Sequence, residues 1–142
     1  MTSGTEPPES IVSDAEPLIA YFCDDPGSDT VEAYVEAVEG AADGYISAVT
    51  LAEVHYIVRA TDGEERADAV VDVLEQSGIS RVDTEHTWPL VAEFKFSHAP
   101  ALGDAFALGT AAHVDGTLLV GADDDYDSIT EVPITRFRTE PA

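Results

Sequence analysis

Four carboxylates stand at the ends of apolar runs, and these are the residues whose type and spacing could do chemistry. Asp14 follows Ile11-Val12-Ser13. Glu53 follows Ile46-Ser47-Ala48-Val49-Thr50-Leu51-Ala52. Asp104 opens Asp104-Ala105-Phe106-Ala107-Leu108, and Asp123 closes Leu118-Leu119-Val120-Gly121-Ala122. Three of the acids come after strand-like segments and the fourth opens a helix-like one. An open α/β sheet places its ligand site there. Carboxylates gathered at one point repel, so they coexist only with a divalent cation or shared protons between them.

Each acid also has a purely structural reading. Asp14 fits a turn before a helix that Pro17 would open. Glu53 is the fourth residue of Thr50-Leu51-Ala52-Glu53, a capping box in which Thr50 caps the helix. Asp104 has the form of an ordinary N-cap. Asp123 fits a solvated acidic loop. About one residue in five is acidic, so the four positions alone decide little.

The elements that must hold these residues follow from periodicity. Ile11–Ser13 reads as a first strand, then a short helix over Leu18–Cys23. Ser28 or Asp29 caps a second helix whose inward face is Val31, Tyr34, Val35 and Val38, and Gly40 ends it. Tyr45–Val49 reads as a second strand. A helix from Thr50 runs to Asp62-Gly63, and another runs from Glu64 to Gln76, with Gly78 as its C-cap. Ile79–Val82 is a third strand. Thr84 or Thr87 starts a helix with Trp88, Val91 and Phe94 inward, stopped by Pro100. Asp104 opens Ala105–His113, and Thr117–Val120 is a fourth strand. Glu131–Arg138 is a last strand, with Pro133 suited to an edge. Alternating strands and helices predict a three-layer α/β/α domain around a mostly parallel twisted sheet. Residues 11–138 form that domain, residues 1–10 a disordered acidic tail and 139–142 a C-terminal tail.

The charge sets the environment. There are 29 Asp+Glu against 6 Lys+Arg, a formal charge of −23, in a chain that is 44% hydrophobic. The acids are interleaved with apolar residues at regular spacing, which points to a folded domain with an acidic surface rather than a disordered chain. Nucleic-acid binders usually carry a basic footprint. At molar salt, however, the Debye length falls to about 3 Å and distant surface charge no longer repels phosphate. The composition therefore fits the salt-rich cytoplasm of an extreme halophile. Cys23 is the single cysteine, which excludes an intrachain disulfide and a cysteine-based zinc site. No apolar run approaches the roughly 18 residues of a membrane span. Thr2–Ser10 lacks the basic start of a secretory signal, so a cytoplasmic protein is expected.

The flanking residues carry a family resemblance over 11–138. Asp14 with Leu18-Ile19-Ala20-Tyr21-Phe22, Ile46-Ser47-Ala48-Val49 with Thr50 and Glu53, Asp104-Ala105-Phe106-Ala107-Leu108, and Leu119-Val120-Gly121-Ala122-Asp123 resemble, in order, the four acidic motifs of PIN-domain nucleases. The closest likeness is to small VapC-type toxins. Asp123 is favoured over Asp125 because Ala-Asp is followed three residues later by aromatic Tyr126. Asp125 is the reserve, as a water-mediated contributor. One departure is Glu16, where the family often has Ser, Thr or Asn two residues after the first Asp.

The resemblance implies an endoribonuclease that uses Mg2+ or Mn2+. Hard carboxylate oxygens suit such ions, and a bound metal activates water for attack on phosphorus. It implies Asp14 and Asp104 as central ligands, with Asp123 completing the site directly or through water. Glu53 would orient the attacking water and Thr50 would support the site. It also implies an RNA substrate, a small antitoxin partner and a homodimer. Two alternatives stand beside the toxin: a stand-alone PIN nuclease of RNA processing or decay, and a catalytically silent PIN-like binding protein. His55, His86, His98 and His113 lack metal-ligand spacing. Lys95 is a weaker candidate for a phosphate contact, and Cys23 reads as a small core residue.

Overall fold

The computed structural model describes residues 9–140. Most of the tail expected over 1–10 lies outside that range, as do residues 141–142 of the expected C-terminal tail. In chain order the elements are β1 (Ser10–Ser13), α1 (Ala15–Cys23), α2 (Ser28–Gly40), β2 (Asp43–Ser47), α3 (Ala48–Asp62), α4 (Glu64–Gln76), β3 (Ile79–Val82), α5 (Trp88–His98), α6 (Leu102–Val114), β4 (Thr117–Val120) and β5 (Ile134–Arg136). Single 3-10 turns at Thr84–His86 and Asp124–Tyr126 complete the list.

The sheet order is β3-β2-β1-β4-β5, and every neighbouring pair is parallel. From β1 the chain builds outward through β2 and β3, then returns to add β4 and β5 on the other side. The order reverses between β1 and β4, where a crevice opens beyond the strand ends. Ser13 lies beside Leu119, so Asp14 and the Gly121–Asp123 segment emerge side by side at that crevice. The Asp14 amide donates to the Leu119 carbonyl at 2.9 Å, which extends the ladder one residue past β1.

Both faces of the sheet are covered, as strand alternation requires. Val12, Leu118 and Val120 pack with Phe94 of α5 and with Ala107, Leu108 and Ala111 of α6. Their neighbours Ile11 and Leu119 turn the other way, onto Ala20, Val31, Val35 and Phe137. Ile46 joins α1 to α3 and α4 through Leu18, Val54, Val58, Ala67, Val70 and Leu74. The result is the three-layer α/β/α arrangement expected from the alternating pattern.

Several boundaries differ, for local reasons. α1 starts at Ala15, not at Pro17, because the Asp14 side chain accepts from the Ala15 amide and caps the helix. α2 begins after Gly27, whose φ of 92° no side chain favours, and neither Ser28 nor Asp29 caps it. α4 ends with Ser77 as its cap, and Gly78 follows one residue later in the left-handed region. α6 starts at Leu102, so Asp104 lies inside its first turn and is not the cap. The last strand is confined to Ile134–Arg136 at the sheet edge. Trp88 is 62% exposed, against the expectation of a core residue. It shares the spacing of buried Val91 and Phe94 but stands at the first residue of α5.

The surface charge leads to a stability prediction. A charge of −23 repels itself when unscreened. The melting temperature is expected to rise as KCl goes from roughly 0.1 M to several molar, as the Debye length shrinks from about 10 Å to about 3 Å or less. A flat or falling melting curve over that range would remove the high-salt reading.

Candidate active site

Asp14 is the deepest of the four acids, 6% exposed at the C-terminal end of β1. Its Oδ1 accepts from the Ala15 amide at 2.8 Å and its Oδ2 from the Tyr126 hydroxyl at 2.6 Å. Burial raises its pKa. Tyr126, Ala15 and Asp104 act against that through hydrogen bonds, and the charge of Asp123 adds to it. Tyr126 is itself buried, and burial beside Asp14 and Asp104 pushes its hydroxyl up, so it remains a donor.

β2 ends two residues earlier than expected, and this reassigns Thr50 and Glu53. Ser47 has extended backbone angles and accepts from the Val49 amide at 3.2 Å, so Ser47 is the cap of α3. Thr50 lies within the first turn, fully buried, with its hydroxyl lacking a partner. Glu53 is therefore six residues past the cap and belongs to no capping box. Its side chain is half-buried, and among the described residues Oε1 has no hydrogen-bond partner. Burial raises its pKa, and the charge of Asp14 raises it further.

Asp104, from the first turn of α6, meets the loop after β4. One oxygen each from Asp104, Asp123 and Asp125 lies within 4.8 Å of the others. Asp123 accepts from the Asp125 amide at 2.9 Å, which folds the acidic loop into its 3-10 turn. Asp125 accepts from the Ala101 amide at 2.9 Å, which ties that loop to the start of α6. This contact, with help from Asp104 and Lys95, lowers the pKa of Asp125. Asp104 goes the other way: its pKa is pushed up to about 9, by burial first, then by the charge of Asp14, a hydrogen bond with Asp125 and the charge of Asp123. Its Oδ2 is buried and has no partner among the described residues.

The four predicted acids line one open pocket of about 280 Å³, together with Ala15, Glu16, Ile19, Ala20, Asp25, Ile57 and Arg138. Asp104 and Asp123 of this lining form a tight cluster with Asp125. Asp14 lies beneath, held by Tyr126, and Glu53 faces in from α3. Both Asp123 and the reserve Asp125 take part. Burial and mutual repulsion raise the pKa of both Asp14 and Asp104, which favours a proton held between the acids. Orphaned carboxylate oxygens on Glu53 and Asp104, beside a triad of hard oxygen donors, fit a divalent cation that would take that proton's place.

The other polar candidates lie elsewhere. Lys95 donates to the Pro100 carbonyl and fastens the turn between α5 and α6, so it does not reach into the pocket. His55 pairs with Asp68 across α3 and α4, His98 with Glu131 and Ser128, and His86 stacks on His113. Cys23 is exposed at the end of α1 and is not the core residue expected. Two arginines matter that the motifs did not single out. Arg136 donates to the carbonyls of Gly121 and Asp123 and to Asp127, fixing the acidic loop. Arg138 reaches the pocket wall. The signal for both is Arg136-Phe137-Arg138, which concentrates two of the chain's six cations in three positions.

The fold and this pocket define an α/β/α protein with a carboxylate site at the switch point of a parallel sheet. Residues 11–132 match the PIN domain model, and the chain belongs to the PIN domain family. Among solved structures, it is similar to VapBC2 from Rickettsia felis bound to a DNA fragment from their promoter. That match has a TM-score of 0.73 and 15% identity, over 89% of this chain and 98% of that one. A toxin-antitoxin complex from Klebsiella pneumoniae gives 0.65 and 19%, over 86% and 94%. VapBC-1 from nontypeable Haemophilus influenzae gives 0.68 and 12%, over 90% and 98%. At these identities the likeness is one of fold. Among curated proteins, none matches the chain.

A glycine next to Glu53 offers a test of the site that leaves its acids intact. A Cβ on Gly103 would come within 2.7 Å of both Glu53 carboxylate oxygens. The helical position itself favours alanine by about 0.5–1 kcal/mol. Gly103→Ala is therefore expected to keep or slightly raise the melting temperature while displacing the Glu53 carboxylate and lowering metal-dependent cleavage. Full cleavage in this variant would show that the placement of Glu53 against α6 is irrelevant to turnover.

Proposed function

We propose that the chain is a Mg2+- or Mn2+-dependent endoribonuclease, the toxin of a VapBC-type pair in a high-salt cytoplasm. The observation that carries this reading is the convergence of Asp14, Glu53, Asp104 and Asp123 on one pocket, with buried carboxylate oxygens left unpartnered. Membership of the PIN family supports it, since PIN domains are nucleases. The toxin role draws on the solved toxin–antitoxin structures that share the fold.

In this reading Asp14, Asp104 and Asp123 hold the cation, and Asp125 supports them through Ala101 and Asp104. When bound, the cation would neutralise charge at the phosphate and lower the pKa of water. Glu53, poised on α3 with a free oxygen, orients water for attack in line with the scissile bond. Tyr126 holds Asp14 at the required angle, and Arg136 holds the loop that carries Asp123. A small antitoxin is the partner, and a second copy of the chain completes a homodimer.

The test is cleavage of total RNA by the purified chain at high salt, repeated with any small protein found encoded beside it. Cleavage that this neighbour abolishes is the expected result. Cleavage with no inhibitory neighbour would favour a stand-alone nuclease, and no cleavage would favour a silent binding protein.

A further inference from the structure

The pocket that collects the acids also contains one cation, Arg138. Among the described residues none of the other five cations of the chain lines it, and each is engaged by a partner. Arg59 pairs with Glu64, Arg81 with Asp83, Arg66 with the Phe22 carbonyl, Lys95 with the Pro100 carbonyl, and Arg136 with the acidic loop. Arg138 is held on three sides. Nε donates to Glu16 Oε2 at 3.1 Å, Nη2 lies 2.9 Å from the same oxygen, and Nη1 donates to the Pro26 carbonyl at 3.0 Å. The guanidinium also rests 4.7 Å from the centre of the Phe137 ring.

This clamp leaves donors over. A guanidinium has five N–H groups, and three are engaged here. Among the described residues the remaining two, one on Nη1 and one on Nη2, have no acceptor. Glu16 is built into place as well. A Cβ on Gly121 would lie 2.0 Å from Glu16 Cδ, so the carboxylate occupies the space a side chain there would fill. The Ala122 amide donates to it at 3.4 Å. Glu16 thus bridges α1 to the end of β4 and presents Arg138 to a pocket whose other charged lining residues are acids.

We propose that Arg138 is the phosphate anchor of the substrate and that Glu16 is its positioning residue. This rests on the RNA-cleaving function proposed above. A planar fork with two free N–H groups suits a phosphodiester oxygen pair. In a pocket of net negative charge it supplies the attraction that a polyanion needs beside the cation held by the acids. Glu16 fixes the orientation of the fork through one acceptor oxygen, so Arg138 does not close onto Asp123 or Asp25 instead.

The test compares Arg138→Gln, Arg138→Lys and Glu16→Gln with wild type. The probe is a labelled random-sequence single-stranded RNA, with Ca2+ in place of Mg2+ or Mn2+, in molar KCl. Arg81→Gln on edge strand β3 serves as the charge control. Arg138→Gln is expected to weaken binding about ten-fold and to make the salt slope shallower by about 0.7. Arg138→Lys keeps the charge without the fork and should fall between. Glu16→Gln keeps an acceptor oxygen but removes a negative charge, so it should tighten binding, while Arg81→Gln changes nothing. A merely structural ion pair would instead lower the melting temperature in both partners' variants and shift RNA affinity in the same direction. That pattern, or unchanged affinity in both Arg138 variants, overturns the anchor while leaving the nuclease reading intact. If wild type binds no RNA under these conditions, both readings fall together.

Discussion

Replacing Asp104 by asparagine is expected to abolish the stabilisation that Mn2+ gives the wild type and to reduce RNA cleavage to background. With Mn2+ at about a hundred times its dissociation constant, the wild type should gain about 2.7 kcal/mol by linkage, and the variant little of it. Without metal the order reverses. Asp104 holds a proton in the folded state up to about 9, far above its ordinary 3.8. Between those values the folded chain binds more protons than the unfolded one, so this group's stabilisation is present at low pH and lost as pH rises towards 9. The metal-free wild type should thus lose melting temperature over that window more steeply than Asp104→Asn, which has no proton to release. Mn2+ must displace the same proton, so its affinity should climb with pH up to about 9. Equal metal stabilisation in the two proteins would exclude Asp104 as a ligand.

Glu53 provides the second large effect, and here the structure changes what the sequence predicts. If Thr50 and Glu53 formed a capping box, Glu53→Ala would cost helix stability and Glu53→Gln would not. With Ser47 as the cap, neither substitution touches the helix start. Both are therefore expected to stay within about 0.5 kcal/mol of wild type in denaturant unfolding, or to be more stable, since each removes a half-buried carboxylate near Asp14. Both are expected to lose about 10²–10⁴-fold in cleavage, because neither side chain can take a proton from water. The cap cost moves to Ser47→Ala, at about 0.5–2 kcal/mol. A cap-sized loss in Glu53→Ala would restore the structural reading of that residue.

The sheet was legible because its strands are short apolar runs closed by turn residues, and the acids because they end those runs. Ile11–Ser13 and Thr117–Val120 alternate in a way only a sheet buried on both faces satisfies. Helix starts were less legible. Val49 is β-branched and reads as the last strand residue before a helix at Thr50, but the Ser47 hydroxyl bonds the Val49 amide and turns the chain into α3 two residues sooner. Asp104 resembles a cap in composition, yet α6 begins two residues before it, which swings its side chain into the pocket. Glu16 stands out in the sequence only as a departure from the family pattern, with no partner named for it. Its role depends on Arg138, 122 residues away in sequence, and no local spacing carries that pairing. Trp88 shows a related limit: helical spacing identifies a face, but a residue at the first position of the helix can share that spacing and still stand exposed.

The central claim is that converging carboxylates make this chain a metal-dependent ribonuclease. Its most direct test is incubation of the purified protein with total RNA in molar KCl, with Mn2+ in one arm and EDTA in the other, followed by mapping of the cut ends. Discrete endonucleolytic cuts are expected with Mn2+ and none with EDTA. Intact RNA in both arms, or the same cuts in both, would contradict that claim.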